Sequence, residues 1–222
     1  MQHKFAALYG QPVGSVLLRA LALDNLPIYF GNDASLFALG EAWAGQGRSH
    51  QRLIGLTLGT GLGAGFVANL RVHYQGPGVP PEGGLWNRPY LEGIAEDYAS
   101  GRAILHSYQQ LGGQASTVLQ VSLAARQGDL AAQQAFALLG YHLGQIVAPW
   151  LTAFGASLLV VGGSISRSFD LFETSLHHSL ALTMEVKASR LLEEATLLGA
   201  AALGLATYPS SGEVGGTVGV EE

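Results

Sequence analysis

Residues 52–74 read RLIGLTLGTGLGAGFVANLRVHY, and the fold turns on the type of element into which the glycines lead. Gly55, Gly59, Gly61, Gly63 and Gly65 stand behind a strand-like run. A Walker phosphate loop ends in Gly-Lys-Ser/Thr, and no glycine of this chain precedes a lysine. A dinucleotide fingerprint needs a helix directly after its glycines and an acidic residue about 20 positions further on. The glycines lead instead into FVANLRVHY, whose β-branched and aromatic content reads as strand. The stretch is therefore a hairpin with a bare tip. Such a tip presents successive backbone N–H groups to an anion, with the Thr60 hydroxyl as a further donor. A glycine-rich turn that only reverses the chain is the alternative from this stretch alone.

Outward from the hairpin, strands and helices alternate. VGSVLLRALAL reads as helix, LPIYFGN as strand and ASLFALGEAWAG as helix. After the loop GPGVPPEGG, YLEGIAEDYASGRAILHSYQQLG reads as helical with a break near Ser100-Gly101. Residues 130–166 contain no Asp, Glu, Lys or Arg, a length that raises the question of a membrane span. Gln133, Gln134, His142, Gln145, Pro149 and Gly155 interrupt it. Phe136, Leu139, Leu143, Ile146 and Trp150 keep helical spacing, and SLLVVGG is a short apolar run of the central-strand type. The reading is a buried helix, then a buried strand. A helix around FDLFETSLHHSLA, a strand at TMEVKAS and a last helix ATLLGAAALGLATY complete an α/β pattern. The tail from residue 208 has too little apolar surface to repay ordering.

Composition narrows the function. Of 222 residues, 48% are hydrophobic and 12% charged, which argues for a well-buried chain. The net charge of −5 and two lysines leave no basic stripe for nucleic acid. No cysteine is present, so neither disulfides nor a thiolate metal site can form. MQHKFAALYG lacks the pattern of a secretory signal, and the expected location is the cytoplasm.

Three further stretches carry candidate chemistry. Asn32-Asp33 falls between a strand and a helix, most often the place of a simple N-cap. The functional reading is a carboxylate facing a cleft, and both hold together if Asn32 caps while Asp33 faces the cleft. Glu82, in PPEGG, and Glu96, in AEDYASG, are acids of the kind that accept hydrogen bonds from sugar hydroxyls. Ordinary solvation is the alternative for Glu96. Gly162-Gly163 closes LLVVGGSISRSF, where bare backbone admits a purine or phosphate near Ser164 or Arg167, or merely makes a tight turn.

In their order, NDASLFALGE, LTLGTGLGAGFV, PEGG, AEDYASGRAI, LLVVGGSIS and LLGAAALG resemble the ROK family over residues 12–206. That family comprises sugar kinases, sugar-responsive repressors and uncharacterised relatives on the actin-like, ribonuclease-H-like ATPase fold. The resemblance implies two α/β lobes, and glucokinase-like transfer of phosphate from ATP, with Mg²⁺, to a hexose. It implies Asp33 as general base and Asn32, Glu82 and Glu96 as sugar ligands. Gly59, Thr60, Gly61 and Gly63 resemble the phosphate loop, and Gly162, Gly163 and Ser164 the adenosine loop. The expected organisation is a first-lobe remnant (1–46), a larger lobe (47–193), a returning helix (194–207) and a flexible tail (208–222).

Two departures qualify the resemblance. Leu85 stands where many relatives carry a sugar-contacting histidine, and without cysteine no ordinary ROK zinc site is expected. Only 31 residues precede the Asn-Asp pair, and none resembles the family's first phosphate loop. The first lobe is expected to be incomplete, and the 222-residue chain to have little kinase activity and to self-associate into a homo-oligomer. A non-catalytic sugar-binding or oligomerising protein is the alternative, and a DNA-binding repressor a poor third. The expected partners are a small-molecule sugar and nucleotide, neither nucleic acid nor membrane.

Overall fold

In the computed structural model, which describes residues 6–8, 10–23, 26–181 and 183–207, the glycine stretch closes a hairpin. In chain order the elements are α1 (Val13–Ala20), α2 (Asp33–Ala44), β1 (Arg52–Leu58), β2 (Leu62–Ala68), β3 (Arg71–His73), β4 (Pro89–Tyr90) and β5 (Gly93–Ile94). Next come α3 (Ala95–Tyr98), α4 (Gly101–Gln110), α5 (Val118–Arg126), α6 (Leu130–Phe154), β6 (Leu158–Gly162), α7 (Glu173–Leu180), β7 (Glu185–Ala188) and α8 (Glu194–Thr207). The expected flexible tail, 208–222, lies outside the described residues.

β1 pairs antiparallel with β2, Leu58 facing Leu62. Asn69 and Leu70 then turn the chain into β3, both at positive φ (50° and 58°), as a two-residue hairpin turn requires. β6 adds parallel to β1, and β7 parallel to β6, giving the order β3-β2-β1-β6-β7. Three meandering antiparallel strands and then two parallel ones make the mixed sheet of the ribonuclease-H-like, actin-like ATPase fold.

The period of two sorts each strand between two cores. Ile54, Leu56 and Leu58 of β1 and Leu159 and Val161 of β6 face the larger core, filled by Phe136, Leu139, Leu143, Val147 and Leu151 of α6. Leu53, Leu158 and Val160 face the other side, with Phe37 and Ala38 of α2 and Ala195 of α8. On that side a Cβ at Gly55 or Gly65 would fall 2.7 Å from the Ala38 Cβ, and one at Gly63 would fall 2.8 Å from the Ala34 Cβ. Much of the bareness of the quoted stretch thus seats α2 against the sheet.

α2 and α8 cross at two glycines. A Cβ on Gly40 would strike the Ala195 carbonyl, and one on Gly199 the Leu36 carbonyl. Packing on two sides explains why α2 is apolar with little amphipathic contrast: it lies between the sheet and α8. α6 begins at Asp129, whose side chain accepts from the Ala132 N–H at 3.0 Å and from the Tyr108 hydroxyl at 2.8 Å. It ends at Gly155 in the left-handed conformation. No described helix is long and apolar enough to cross a membrane.

The chain divides into Met1–Phe30 and Gly31–Glu222. In the smaller unit α1 buries no residue, and Ile28 and Phe30 lie beside its Gly14. The division falls before α2 because α2 packs on the sheet; the expected boundary was 46/47. Two expectations need correction. Residues 26–30, read as strand, form none: an alternating apolar run needs a neighbouring strand, and none pairs with it among the described residues. YLEGI, read as the start of a helix, instead holds the small β4–β5 hairpin, turned at Leu91 (φ 49°). The helical pattern begins only at Ala95, and the break predicted at Ser100-Gly101 is the N-cap of α4.

Candidate functional site

The parallel strands β1 and β6 end side by side, Thr57 opposite Gly162, and the loops beyond them meet. At the hairpin tip the Gly59 N–H donates to the Gly61 carbonyl (3.1 Å), while the Gly59 carbonyl accepts from the Gly101 N–H at the start of α4 (2.8 Å). Thr60 is exposed. Beyond β6, Gly163 has φ 80° and sits where any Cβ would press on the Leu58 backbone. It leads into a 3₁₀ turn, Ser164–Leu171, in which the Ser166 hydroxyl donates to the Gly163 carbonyl (2.7 Å).

Between these loops and α4–α5 lies a cavity of about 410 Å³. Leu105, Val118, Leu119 and Ile165 supply apolar wall; Gly59, Thr60, Ser164, Arg102 and Arg167 supply bare backbone, hydroxyls and positive charge. The volume is in the range of small-molecule sites. An apolar slot beside two guanidinium groups and bare glycine backbone matches a nucleotide, base on one side and phosphates on the other. Among the described residues no carboxylate lines this cavity, so Mg²⁺ fits it only in company with the nucleotide's own oxygens.

Asn32 and Asp33 open α2. Asn32 is its N-cap, accepting from the Ser35 N–H at 3.1 Å, so the capping alternative holds for this residue. Asp33 is exposed; its Oδ1 takes the Ala34 N–H at 2.9 Å, and its remaining lone pairs are open to solvent. Because Ala34 packs on Gly63, Asp33 stands one residue from the seam between α2 and the hairpin. The Cβ position of Gly63 is occupied by Thr57 and Ala34, and that of Gly61 by the Glu96 carboxylate.

Glu96 is not a solvated acid. Its side chain is 13% exposed; Oε2 accepts from the Leu62 N–H (3.0 Å) and Oε1 from Arg102 Nη2 (2.6 Å). It is held from behind as well, since its own N–H donates to the Trp86 carbonyl (3.0 Å) and the neighbouring Ala95 N–H to the Arg88 carbonyl (2.9 Å). The β4–β5 hairpin that feeds this turn is pinned to α6 by a 2.9 Å hydrogen bond between the Tyr90 hydroxyl and His142 Nδ1. Tyr98 and Tyr141 pack on the same imidazole. Burial holds His142 below the usual histidine range and pushes Tyr90 up.

Glu82 is exposed on the turn Pro81–Gly83 at φ 60°. Among the described residues no hydrogen bond or ion pair joins it to Asp33 or Glu96. Leu85, in the place of the family histidine, is fully buried in the larger core. The structure therefore brings Gly59, Thr60 and Ser164 to one cavity, backs it with Gly163, and joins Glu96 to the hairpin. Gly162 is covered by Phe37. Sequence reasoning missed Arg102, Leu105, Val118 and Leu119. Only Arg102, directly after the AEDYASG motif, carried a local signal.

The ROK family model matches residues 18–207. The chain is 33% identical over 206 residues to the glucokinase of Thermotoga maritima, covering 79% of this chain and 65% of that protein. It is 29% identical to an N-acetyl-D-glucosamine kinase of Pectobacterium carotovorum, covering 75% and 60%. It thus spans less than two thirds of the length of these curated relatives. Its fold matches a ROK family glucokinase from Streptomyces griseus, solved with glucose and AMPPNP, with a TM-score of 0.73 and 28% identity over 87% of this chain and 72% of that one. With the motifs in order and a family match across most of its length, this chain belongs to the ROK family.

Proposed function

We propose that the chain carries the nucleotide cavity and sugar-facing residues of a cytoplasmic ATP-dependent hexose kinase. The observation that carries this reading is the cavity at the ends of β1 and β6, where the Gly59-Thr60 hairpin meets the Gly163-Ser164 turn. The Streptomyces griseus relative's complex with glucose and AMPPNP supports the same ligand classes.

In this reading Leu105, Val118, Leu119 and Ile165 sandwich the base, and the Gly59–Gly61 backbone with Thr60 faces the phosphates. Asn32, Glu82 and Glu96 hold sugar hydroxyls. ATP would supply the phosphoryl group, and Mg²⁺ held with the nucleotide's own oxygens would screen its charge. Asp33 takes the proton of the acceptor hydroxyl as that oxygen forms its bond to the γ-phosphorus and the bond to the ADP oxygen breaks. Leu85 offers no hydrogen bond, so the sugar is held with one donor fewer than in relatives with histidine there. Lacking cysteine, the chain is read as zinc-independent.

General-base help is typically worth about 10²–10⁴-fold, against 10⁶-fold or more for a whole enzyme, roughly. Without a recognisable first phosphate loop, we expect slow turnover at most from these 222 residues. The test is an assay with Mg-ATP and a panel of hexoses, beside a form extended upstream with family-type sequence and that form carrying Asp33→Asn. Activity in the extended form that is lost with Asp33→Asn supports the reading. Activity that survives Asp33→Asn refutes the assigned base. A chain that binds sugar and nucleotide without turnover in either form favours a non-catalytic sugar-binding role.

A further inference from the structure

The Arg102 side chain makes one hydrogen bond among the described residues, to Glu96 Oε1, and is 69% exposed. It also lines the nucleotide cavity beside Gly59 and Thr60, and a second, more open cavity of about 800 Å³ with His106, Gln109 and Gln120. One guanidinium therefore faces two uses. It neutralises a carboxylate read as a sugar ligand, and it borders the space read as the phosphate site.

We propose that Arg102 is a phosphate ligand of the bound nucleotide that Glu96 holds in reserve, so that phosphate draws it away and frees Glu96 Oε1 for a sugar hydroxyl. The inference rests on the kinase reading of the same cavity. An ion pair with one partner largely in solvent is held weakly. A polyphosphate carries more charge than a carboxylate and accepts arginine's donors in bidentate geometry. The second Glu96 oxygen stays on the Leu62 N–H, so the carboxylate keeps its orientation when the arginine leaves. The two ligands are then coupled: nucleotide makes Glu96 available, and sugar on Glu96 makes Arg102 available, by the same factor in both directions.

Calorimetric titration of the chain with adenosine and with Mg-AMPPNP, each with and without glucose, separates the possibilities. Arg102→Gln is expected to weaken AMPPNP about tenfold, the worth of a hydrogen bond to a charged group, and to leave adenosine unchanged. Arg102→Lys retains part of the loss. Glu96→Gln releases the guanidinium and is expected to tighten AMPPNP several-fold, a gain that disappears when Arg102→Gln is added. Glucose is expected to bind more tightly in the presence of AMPPNP, and equally with and without it in Arg102→Gln. A purely structural Glu96–Arg102 pair predicts instead that both single variants weaken adenosine and AMPPNP alike, which overturns the proposal. Adenosine binding intact with AMPPNP unaffected by Arg102→Gln overturns it while sparing the kinase reading. Absence of adenosine and AMPPNP binding altogether overturns both.

Discussion

Replacing Gly199 by alanine tests the packing that joins α8 to α2. Two effects oppose each other. Alanine is the better helix former by about 1 kcal/mol. Its Cβ, however, would collide with the Leu36 carbonyl oxygen, stand 2.7 Å from the carbonyl carbon and 3.0 Å from the Gly40 nitrogen. These are backbone atoms, and no rotamer change relieves them. The helices must separate by roughly 1 Å, which forfeits a quarter to a half of each affected dispersion contact. Overpacking of this kind typically costs about 1–3 kcal/mol, and backbone against backbone puts it at the upper end. The net expectation is a loss of about 2 kcal/mol, or roughly 4–8 °C in Tm for a chain of this size. Gly204, in the same helix, has nothing within 4 Å of its would-be Cβ, so Gly204→Ala isolates the propensity effect. It should raise Tm by about 1–4 °C. Thermal unfolding monitored by circular dichroism measures both. If Gly199→Ala proves as stabilising as Gly204→Ala, the close helix crossing is wrong.

Three further outcomes depend on particular side chains. His142 is held below its usual pKa by burial, so the unfolded chain binds its proton first: stability is full above the ordinary histidine value and declines as pH falls from there toward the lower folded value. In His142→Phe this decline should be reduced in Tm measured from pH 8 to 5. Leu85→His, which restores the family residue, should cost about 1–3 kcal/mol for an unpaired buried imidazole and yield no gain in sugar affinity by titration, because position 85 faces the core. Gly163→Ala places a Cβ on the Leu58 backbone at positive φ and should abolish nucleotide binding while far-ultraviolet circular dichroism retains the α/β signature.

The sheet was legible because its chemistry is local. The glycine stretch leads into β-branched residues, and SLLVVGG is too short and too uniformly apolar for anything but a central strand. α2 and the Ser100-Gly101 break were likewise marked by caps. Residues 26–30 and 90–94 misled because neither local pattern specifies a partner: the first forms no strand, and the second folds back on itself at Leu91. At the site, the glycines stated a need for close approach but not what approaches. Ala34 and Ala38 answer for Gly63 and Gly65, and the Glu96 carboxylate answers for Gly61. Arg102 adjoins the AEDYASG motif, but the apolar wall at Leu105, Val118 and Leu119 comes from helices packed in three dimensions, where sequence spacing carries no ligand signal.

Nucleotide binding where the Gly59-Thr60 hairpin meets the Gly163-Ser164 turn underlies both proposals. Hydrogen–deuterium exchange of the 222-residue chain with and without Mg-AMPPNP reads it directly. Protection is predicted in residues 58–62, 101–105 and 163–168, with the β4–β5 hairpin and the β3 edge unchanged. Binding without protection at 58–62 and 163–168, or protection confined to another surface, contradicts it.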